Sequence, residues 1–182
     1  MARPHRIDLA SDRGGDRPPI FAGNGGVQRQ LRHPLRHRIA IDRDTGAVAV
    51  EKYLAAYDIG RAVNPALVRG QIAGGFAQGL GGALYEEFVY DKHGQPLAVT
   101  FADYLLPTMG ETPSIEILLT EDSPSPCNPL GIKGAGESGI NPVGAAIASA
   151  IDAAIGIPGA VTQLPVTPTR LRAILKAHDR RD

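Results

Sequence analysis

Gly131-Ile132-Lys133-Gly134-Ala135-Gly136-Glu137-Ser138-Gly139-Ile140-Asn141-Pro142 runs from a proline-rich stretch into a small-residue helix. Glycines at 131, 134, 136 and 139 leave it poor in side chains. Such a loop lets backbone N–H groups approach a ligand closely. One carboxylate, Glu137, sits in its middle. Asn141 suits an N-cap and Pro142 a first helical position, so a helix is expected to open there. A helix N-terminus attracts anions through its free N–H groups and its dipole. The loop therefore offers a cradle for an anionic ligand with a carboxylate held beside it.

Gly134, Gly136 and Gly139 also satisfy G-x-G-x-x-G. A dinucleotide-binding turn of that pattern follows a strand directly and opens a helix inside a βαβ unit. Here the nearest strand-like run, 114–120, is separated from the loop by residues 121–130, with prolines at 124, 126 and 129. That gap argues against a nicotinamide or flavin site on a doubly wound sheet. The remaining reading from residues alone is a glycine-rich connector whose Glu137 is solvated.

Upstream of the loop, Ile39 and Ile41 alternate with polar or small residues, Asp44-Thr45-Gly46 makes a turn, and Val48, Val50 and Tyr53 to Tyr57 continue extended. This predicts a hairpin. Asn64-Pro65 starts a helix in which Leu67, Ile72, Phe76, Leu80 and Leu84 share an apolar face to about Glu87. Its glycines, at 70, 74, 75, 79, 81 and 82, each cost up to ~1 kcal/mol relative to alanine. So many glycines imply a very close neighbour. Gln71 and Gln78, seven apart, lie nearly on one face. Residues 88–90 and 97–101, around the turn 91–95, predict a second hairpin, and 115–119 a half-buried strand. Downstream, Ala145 to Ile155 is an alanine-rich helix stopped by Gly156, and Thr167-Pro168 caps a last helix to about Ala177, with a charged tail beyond it.

Four of these segments resemble the large, molybdopterin-binding subunit of the molybdenum hydroxylases, the family of xanthine dehydrogenase, aldehyde oxidase and aerobic carbon monoxide dehydrogenase. They are the loop 131–139; Asp58-Ile59-Gly60-Arg61-Ala62-Val63-Asn64-Pro65 with the glycine-rich run 70–81; Ala83-Leu84-Tyr85-Glu86-Glu87; and Asp103-Tyr104-Leu105-Leu106-Pro107. They stand in the family order, and the resemblance covers about residues 38 to 176. It implies a C-terminal segment of that subunit and oxidation of aldehyde, N-heterocycle or CO-type substrates with water as oxygen source. Glu137 matches the family's base. Gln71 matches a glutamine whose amide contacts the pterin, and Gln78 is a second candidate. Lys133, Gly134, Ala135 and Gly136 are the cofactor-binding stretch, with Lys133 helping to neutralise the cofactor. The implied cofactor is molybdenum–molybdopterin, plain or as its cytosine dinucleotide. FAD and [2Fe-2S] centres are expected on partner subunits or domains of a hetero-oligomer. The metal is held by the pterin, so no protein ligand is expected. The competing class is an inactive fragment, or a split-subunit piece that works only when docked on the rest of the large subunit.

Composition agrees with a globular chain. The 182 residues are one domain's worth, 43% are hydrophobic, and formal net charge is zero. Charge therefore gives no support to a nucleic-acid partner. No run approaches the ~18 apolar residues of a membrane span. The single cysteine, Cys127, excludes an internal disulfide and suits a reducing, cytoplasmic setting. In its Pro-Ser-Pro-Cys-Asn-Pro context Cys127 reads as a bystander. The five histidines have no ligand spacing, and His93 reads as a solvated turn residue.

The expected organisation is α+β: antiparallel hairpins packed by two main helices and a short C-terminal one, over residues 38–178, with 179–182 a charged tail. Residues 1–37 lack the resemblance. Seven arginines, scattered glycines and prolines and no apolar period predict irregular coil there. Asp8, Asp12 and Asp16 among the arginines weigh against a polyanion-binding arm.

Overall fold

The computed structural model describes residues 5–7 and 38–179. Four strands, β1 (His5–Ile7), β2 (Arg38–Ile41), β3 (Val48–Asp58) and β4 (Ile115–Thr120), form one sheet in the order β1-β2-β3-β4. Three helices accompany it: α1 (Pro65–Leu84), α2 (Val143–Ile155) and α3 (Pro168–Asp179). The architecture is α+β.

The β2–β3 hairpin forms as expected, around a turn in which Asp42 Oδ1 accepts the N–H groups of Asp44 and Thr45 at 2.9 and 3.1 Å. Its register slips by one residue where Arg38 pairs with Lys52 while Ile39 pairs with Val50. Glu51 is the extra residue, and Arg38 Nε reaches its carboxylate at 2.7 Å. A bulge changes which face a strand's alternate residues occupy. Val50 points to the core before it, and Tyr53 and Ala55 after it. The bulge thus sets up Tyr57, two residues on, to lie against the same core.

Past Lys52, strand β3 changes partner. Its second half pairs with β4 in parallel, from Tyr53 opposite Ile115 to Asp58 opposite Thr120. The sheet is therefore mixed and not built of antiparallel hairpins alone; alternation of side chains carries no information on strand direction. The predicted second hairpin reduces to one bridge, Tyr90 to Pro96. Its apolar residues, Phe88, Val89, Leu97, Val99 and Phe101, are exposed. Among the ring contacts of the described residues, Phe88 meets only the rings of Tyr90 and Tyr104, centroids 5.5 and 6.0 Å away. Strand β1 stands within the stretch expected to be irregular, paired antiparallel to β2. The rest of residues 1–37, and 180–182, lie outside the described residues.

Helix α1 starts at Pro65, with Asn64 Oδ1 accepting Leu67 N–H at 3.2 Å, as its sequence predicts. It ends at Leu84, three residues early, where Tyr85 and Glu86 N–H groups both donate to the Gly81 carbonyl. Ile72, Phe76, Leu80 and Leu84 are buried, but Leu67 is 71% exposed. The Phe76 ring lies against Tyr53 of β3, centroids 4.3 Å apart. Helix α2 opens at Val143 and not at Pro142: Pro142 occupies the cap, and no side chain supplies a capping bond. Asn141 instead gives its N–H to the Glu137 carbonyl at 3.3 Å, so the chain is already turning before the helix begins. Gly156 ends α2 in the left-handed conformation, as expected. Thr167 Oγ1 accepts Arg170 N–H at the start of α3, whose Leu171 and Leu175 complete the core.

The close neighbour that the α1 glycines imply is real at Gly75, Gly79 and Gly81, the last against the Glu86 side chain and Pro107, and not at the others. A Cβ on Gly75 would stand 2.9 Å from Gly139 Cα, and one on Gly79 2.7 Å from Val143 Cβ. Gly75 and Gly79, one turn apart, let the glycine loop and the start of α2 settle onto the helix backbone. Gly70, Gly74 and Gly82 face open space. Gly74→Ala is accordingly expected to stabilise the chain by up to ~1 kcal/mol through helix propensity. Gly75→Ala, its neighbour, is expected to cost about 1–3 kcal/mol by overpacking. Urea unfolding of the two variants checks this, and equal midpoints would contradict it.

Burial also shapes alkaline behaviour. It pushes the Tyr57 phenol up to about 12, and Tyr53, more deeply buried, moves further in the same direction. The folded state then holds protons that the unfolded state releases near pH 10. Their contribution to stability is complete below about pH 10 and lost as pH rises through about 12. Urea midpoints from pH 9 to 12 should fall, with a shallower fall in Tyr57→Phe; a flat profile would refute the assignment.

Candidate functional site

Strand β3 leaves the sheet through Asp58-Ile59-Gly60. Asp58 Oδ1 accepts Gly60 N–H at 2.9 Å and lies 3.5 Å from Lys133 Nζ. Lys133 N–H donates to the Ile59 carbonyl at 3.0 Å, and Ile59 N–H to the Thr120 carbonyl at 3.1 Å. The entry to the glycine loop is thus stitched across the end of the sheet. Gly60 has φ +67°, and a Cβ there would stand 2.1 Å from the Gly131 oxygen, so no other residue fits that crossing unstrained.

The preceding proline-rich stretch closes on itself. Ser125 N–H donates to the Gly131 carbonyl at 3.0 Å. The Asn128 amide both gives a hydrogen bond to the Ile132 carbonyl, at 2.9 Å, and takes one from Ile132 N–H, at 3.0 Å. An open cleft of about 520 Å³ lies here, lined by residues including Arg61, Glu121, Asn128 and Gly131. Its lining stops at Gly131 and includes neither Glu137 nor Gln71.

Beyond Lys133 the loop runs along α1. Gln71 Nε2 donates to the Gly136 carbonyl at 3.0 Å. The Glu137 carbonyl accepts Ile140 and Asn141 N–H groups at 3.2 and 3.3 Å. The Tyr57 hydroxyl donates to the Ser138 carbonyl. Gly139 then presses on Ile72 and Gly75, where a Cβ would stand 2.3 Å from the Ile72 oxygen. The Glu137 side chain is exposed and, among the described residues, has no hydrogen-bond or ion-pair partner.

Gly134 and Gly136 on the loop, and Gly70 and Gly74 on α1, have nothing within 4 Å of where a Cβ would stand. Two edges free of side chains therefore meet where Gln71 bonds Gly136. Such a cradle suits a cofactor that packs on backbone and hydrogen-bonds to amides. Glu137 stands within it, and Ala135 is half-buried. Gln78 is exposed on the same helix without a hydrogen bond to the loop. Lys133 is drawn to Asp58, so its charge is already matched. Among the described residues no group of three or more His, Cys, Asp or Glu is placed to hold a metal ion. Cys127 is exposed.

Sequence reasoning brought Gln71 and Glu137 into one site but gave no role to Tyr57, Asp58 or Asn128. Asp58-Ile59-Gly60 carries a legible signal, because an Asp side chain bonding the N–H two residues on is a standard turn device. Tyr57 carries none; its role follows from the bulge at Glu51 and the path of a loop 81 residues away.

The molybdopterin cofactor-binding domain model matches residues 36–113. The chain is 49% identical over 134 residues to the 6-hydroxypseudooxynicotine dehydrogenase complex subunit gamma of Paenarthrobacter nicotinovorans, covering 74% of this chain and 17% of that one. It is 40% identical over 154 residues to the nicotine 6-hydroxylase large subunit of the same organism, covering 84% and 18%. The crystal structure of quinoline 2-oxidoreductase from Pseudomonas putida 86 superimposes with a TM-score of 0.71 at 37% identity, over 78% of this chain and 18% of that one. The chain thus spans about a sixth of the length of the curated relatives it matches. With the α+β fold and the glycine-loop cradle, these similarities place the chain in the molybdenum hydroxylase family, as a segment of its molybdopterin-binding large subunit.

Proposed function

We propose that this segment supplies one wall of the cofactor site, and the base, of a molybdenum-dependent hydroxylase or dehydrogenase. The observation that carries the reading is Glu137: an exposed carboxylate without a partner among the described residues, on a loop whose neighbouring backbone is open on both the loop and the α1 side. When bound, molybdenum–molybdopterin supplies the two-electron acceptor for the substrate carbon. The backbone of Gly134, Ala135 and Gly136, with the Gln71 oxygen and the Gln78 amide, holds it. Lys133 serves less as a free counter-charge than as the tie between loop and Asp58. Glu137 accepts the proton of the water-derived nucleophile at a carboxylate oxygen. That role needs a carboxylate within hydrogen-bond reach of the proton and free to take it.

The substrate class is an aldehyde, an N-heterocycle or a CO-type molecule. Quinoline and nicotine, in the names of two relatives, are N-heterocycles and favour that class. The proposal extends to a cytosine dinucleotide form of the cofactor, to FAD and [2Fe-2S] partner subunits, and to the cytoplasm. No helix among the described residues is long and apolar enough to cross a membrane.

In a complex containing this segment, Glu137→Gln should leave molybdenum per protomer intact and lower kcat by about 10²–10⁴-fold. The amide is nearly isosteric but takes no proton. Full turnover per bound molybdenum in that variant would sink the base assignment.

A second observation favours a piece that functions docked on the rest of the large subunit. Phe88, Val89, Tyr90, Leu97, Val99, Phe101, Leu105, Leu106 and Met109 are all exposed within one stretch. Apolar exposure on that scale marks a covered interface. The chain alone is accordingly expected to retain little cofactor. Phe101→Asp should leave its unfolding free energy within about 0.5 kcal/mol of the parent, as surface changes do, while reducing assembly of the complex. Stoichiometric molybdenum in the isolated chain, or normal assembly of Phe101→Asp, would count against this reading.

A further inference from the structure

Three consecutive carbonyls of the glycine loop are held. Gly136 is bonded by Gln71 of α1, Glu137 by the loop's own Ile140 and Asn141 N–H groups, and Ser138 by Tyr57 of β3. Only the middle one is held from within the loop. The outer two are held by side chains from two different elements of the fold. The sequence between them is among the least constrained, with glycine at 134, 136 and 139. The Glu137 carboxylate has no partner of its own among the described residues, so only the backbone beneath it fixes where it stands.

We propose that Tyr57 and Gln71 are positioning residues for Glu137. The inference rests on the reading of Glu137 as a base. Tyr57 suits the task because its ring packs against the core, leaving the hydroxyl at the loop. Gln71 suits it because α1 is anchored one turn further on, where Gly75 meets Gly139. Together they hold the carboxylate from both sides without touching it, so its oxygens stay free for a proton. A catalytic group displaced by ~1 Å can lose about 10²-fold in rate, so two weak bonds placed there have a large effect on turnover.

The test uses Tyr57→Phe and Gln71→Leu, first in the chain without cofactor. Amide hydrogen exchange at Ile140 and Asn141, whose N–H groups close on Glu137, should quicken by about 2–10-fold in each variant, the loss expected for one hydrogen bond. Amides of Ile147 and Ile151, buried in α2, should not change. In the molybdenum-loaded complex both variants should lower kcat per bound molybdenum with KM near the parent value. Tyr57→Phe should keep its molybdenum content, while Gln71→Leu, which also removes an oxygen assigned to the cofactor, should lose part of it. Unchanged exchange at Ile140 and Asn141 would overturn the proposal. So would equal quickening in α2, which would mean a general loss of stability. Quickened exchange with unaltered kcat would overturn it too, unless Glu137→Gln also keeps full turnover. In that case the base reading fails, while the tether stands as a loop anchor.

Discussion

The crossing of Gly139 over Ile72 and Gly75 is the contact on which the rest of the molecule depends. It is backbone against backbone, with no room for a Cβ at Gly75 or at Gly139. It brings the loop close enough for Gln71 to reach Gly136, and it sets the start of α2 against Gly79. The buried Ile72–Phe76–Leu80 stripe of α1 lies beside it, so core packing and loop placement share one helix. A helix carrying this many glycines is intrinsically poor. Tertiary contact on the buried side offsets that cost, while Gly70 and Gly74 on the open side gain nothing from packing. Packing within the described residues does not require bare backbone at these two positions.

Strand β3 divides the labour along its length. Its first half closes a local hairpin with β2, and its second half is recruited by β4, nearly sixty residues later in the chain. The bulge at Glu51 separates the two and sets the phase that turns Tyr53, Ala55 and Tyr57 inward. One extra residue therefore decides that a hydroxyl, and not a solvent-facing side chain, stands beneath the loop.

Most local signals in the sequence hold where the structure is local. Asn64-Pro65 and Thr167-Pro168 mark helix starts by capping side chains, and Gly156 marks a helix end by its left-handed backbone; all three act within four residues, and each holds. Asn141-Pro142 carries the same signal but fails, because Asn141 is drawn into the turn that closes on Glu137. The strand 115–120 was visible as an alternation, yet its parallel pairing was not, since pairing direction depends on the path of residues 85–114. The predicted hairpin at 88–101 failed for a different reason. Its apolar residues match a strand pattern, but they are exposed in this chain, and strands without a partner surface do not hold. At the site, Glu137 and Gln71 were legible through motif resemblance, whereas Tyr57 was legible only once the bulge and the loop path were known.

A glycine-rich loop is by itself a poor way to fix the position of a carboxylate. A helix or strand would fix it better, but both fill their flanks with side chains. The loop leaves backbone bare at Gly134 and Gly136, which a cofactor can approach, and moves the task of fixing it elsewhere. Asp58 and Lys133 fasten its entry, Gln71 and Tyr57 its centre, and the Gly75–Gly139 contact its exit. Apart from Gln71, whose oxygen is assigned to the cofactor, none of these groups need touch a ligand, and none of them engages the Glu137 carboxylate. Rigidity and openness, which compete within any single element, are here assigned to different residues.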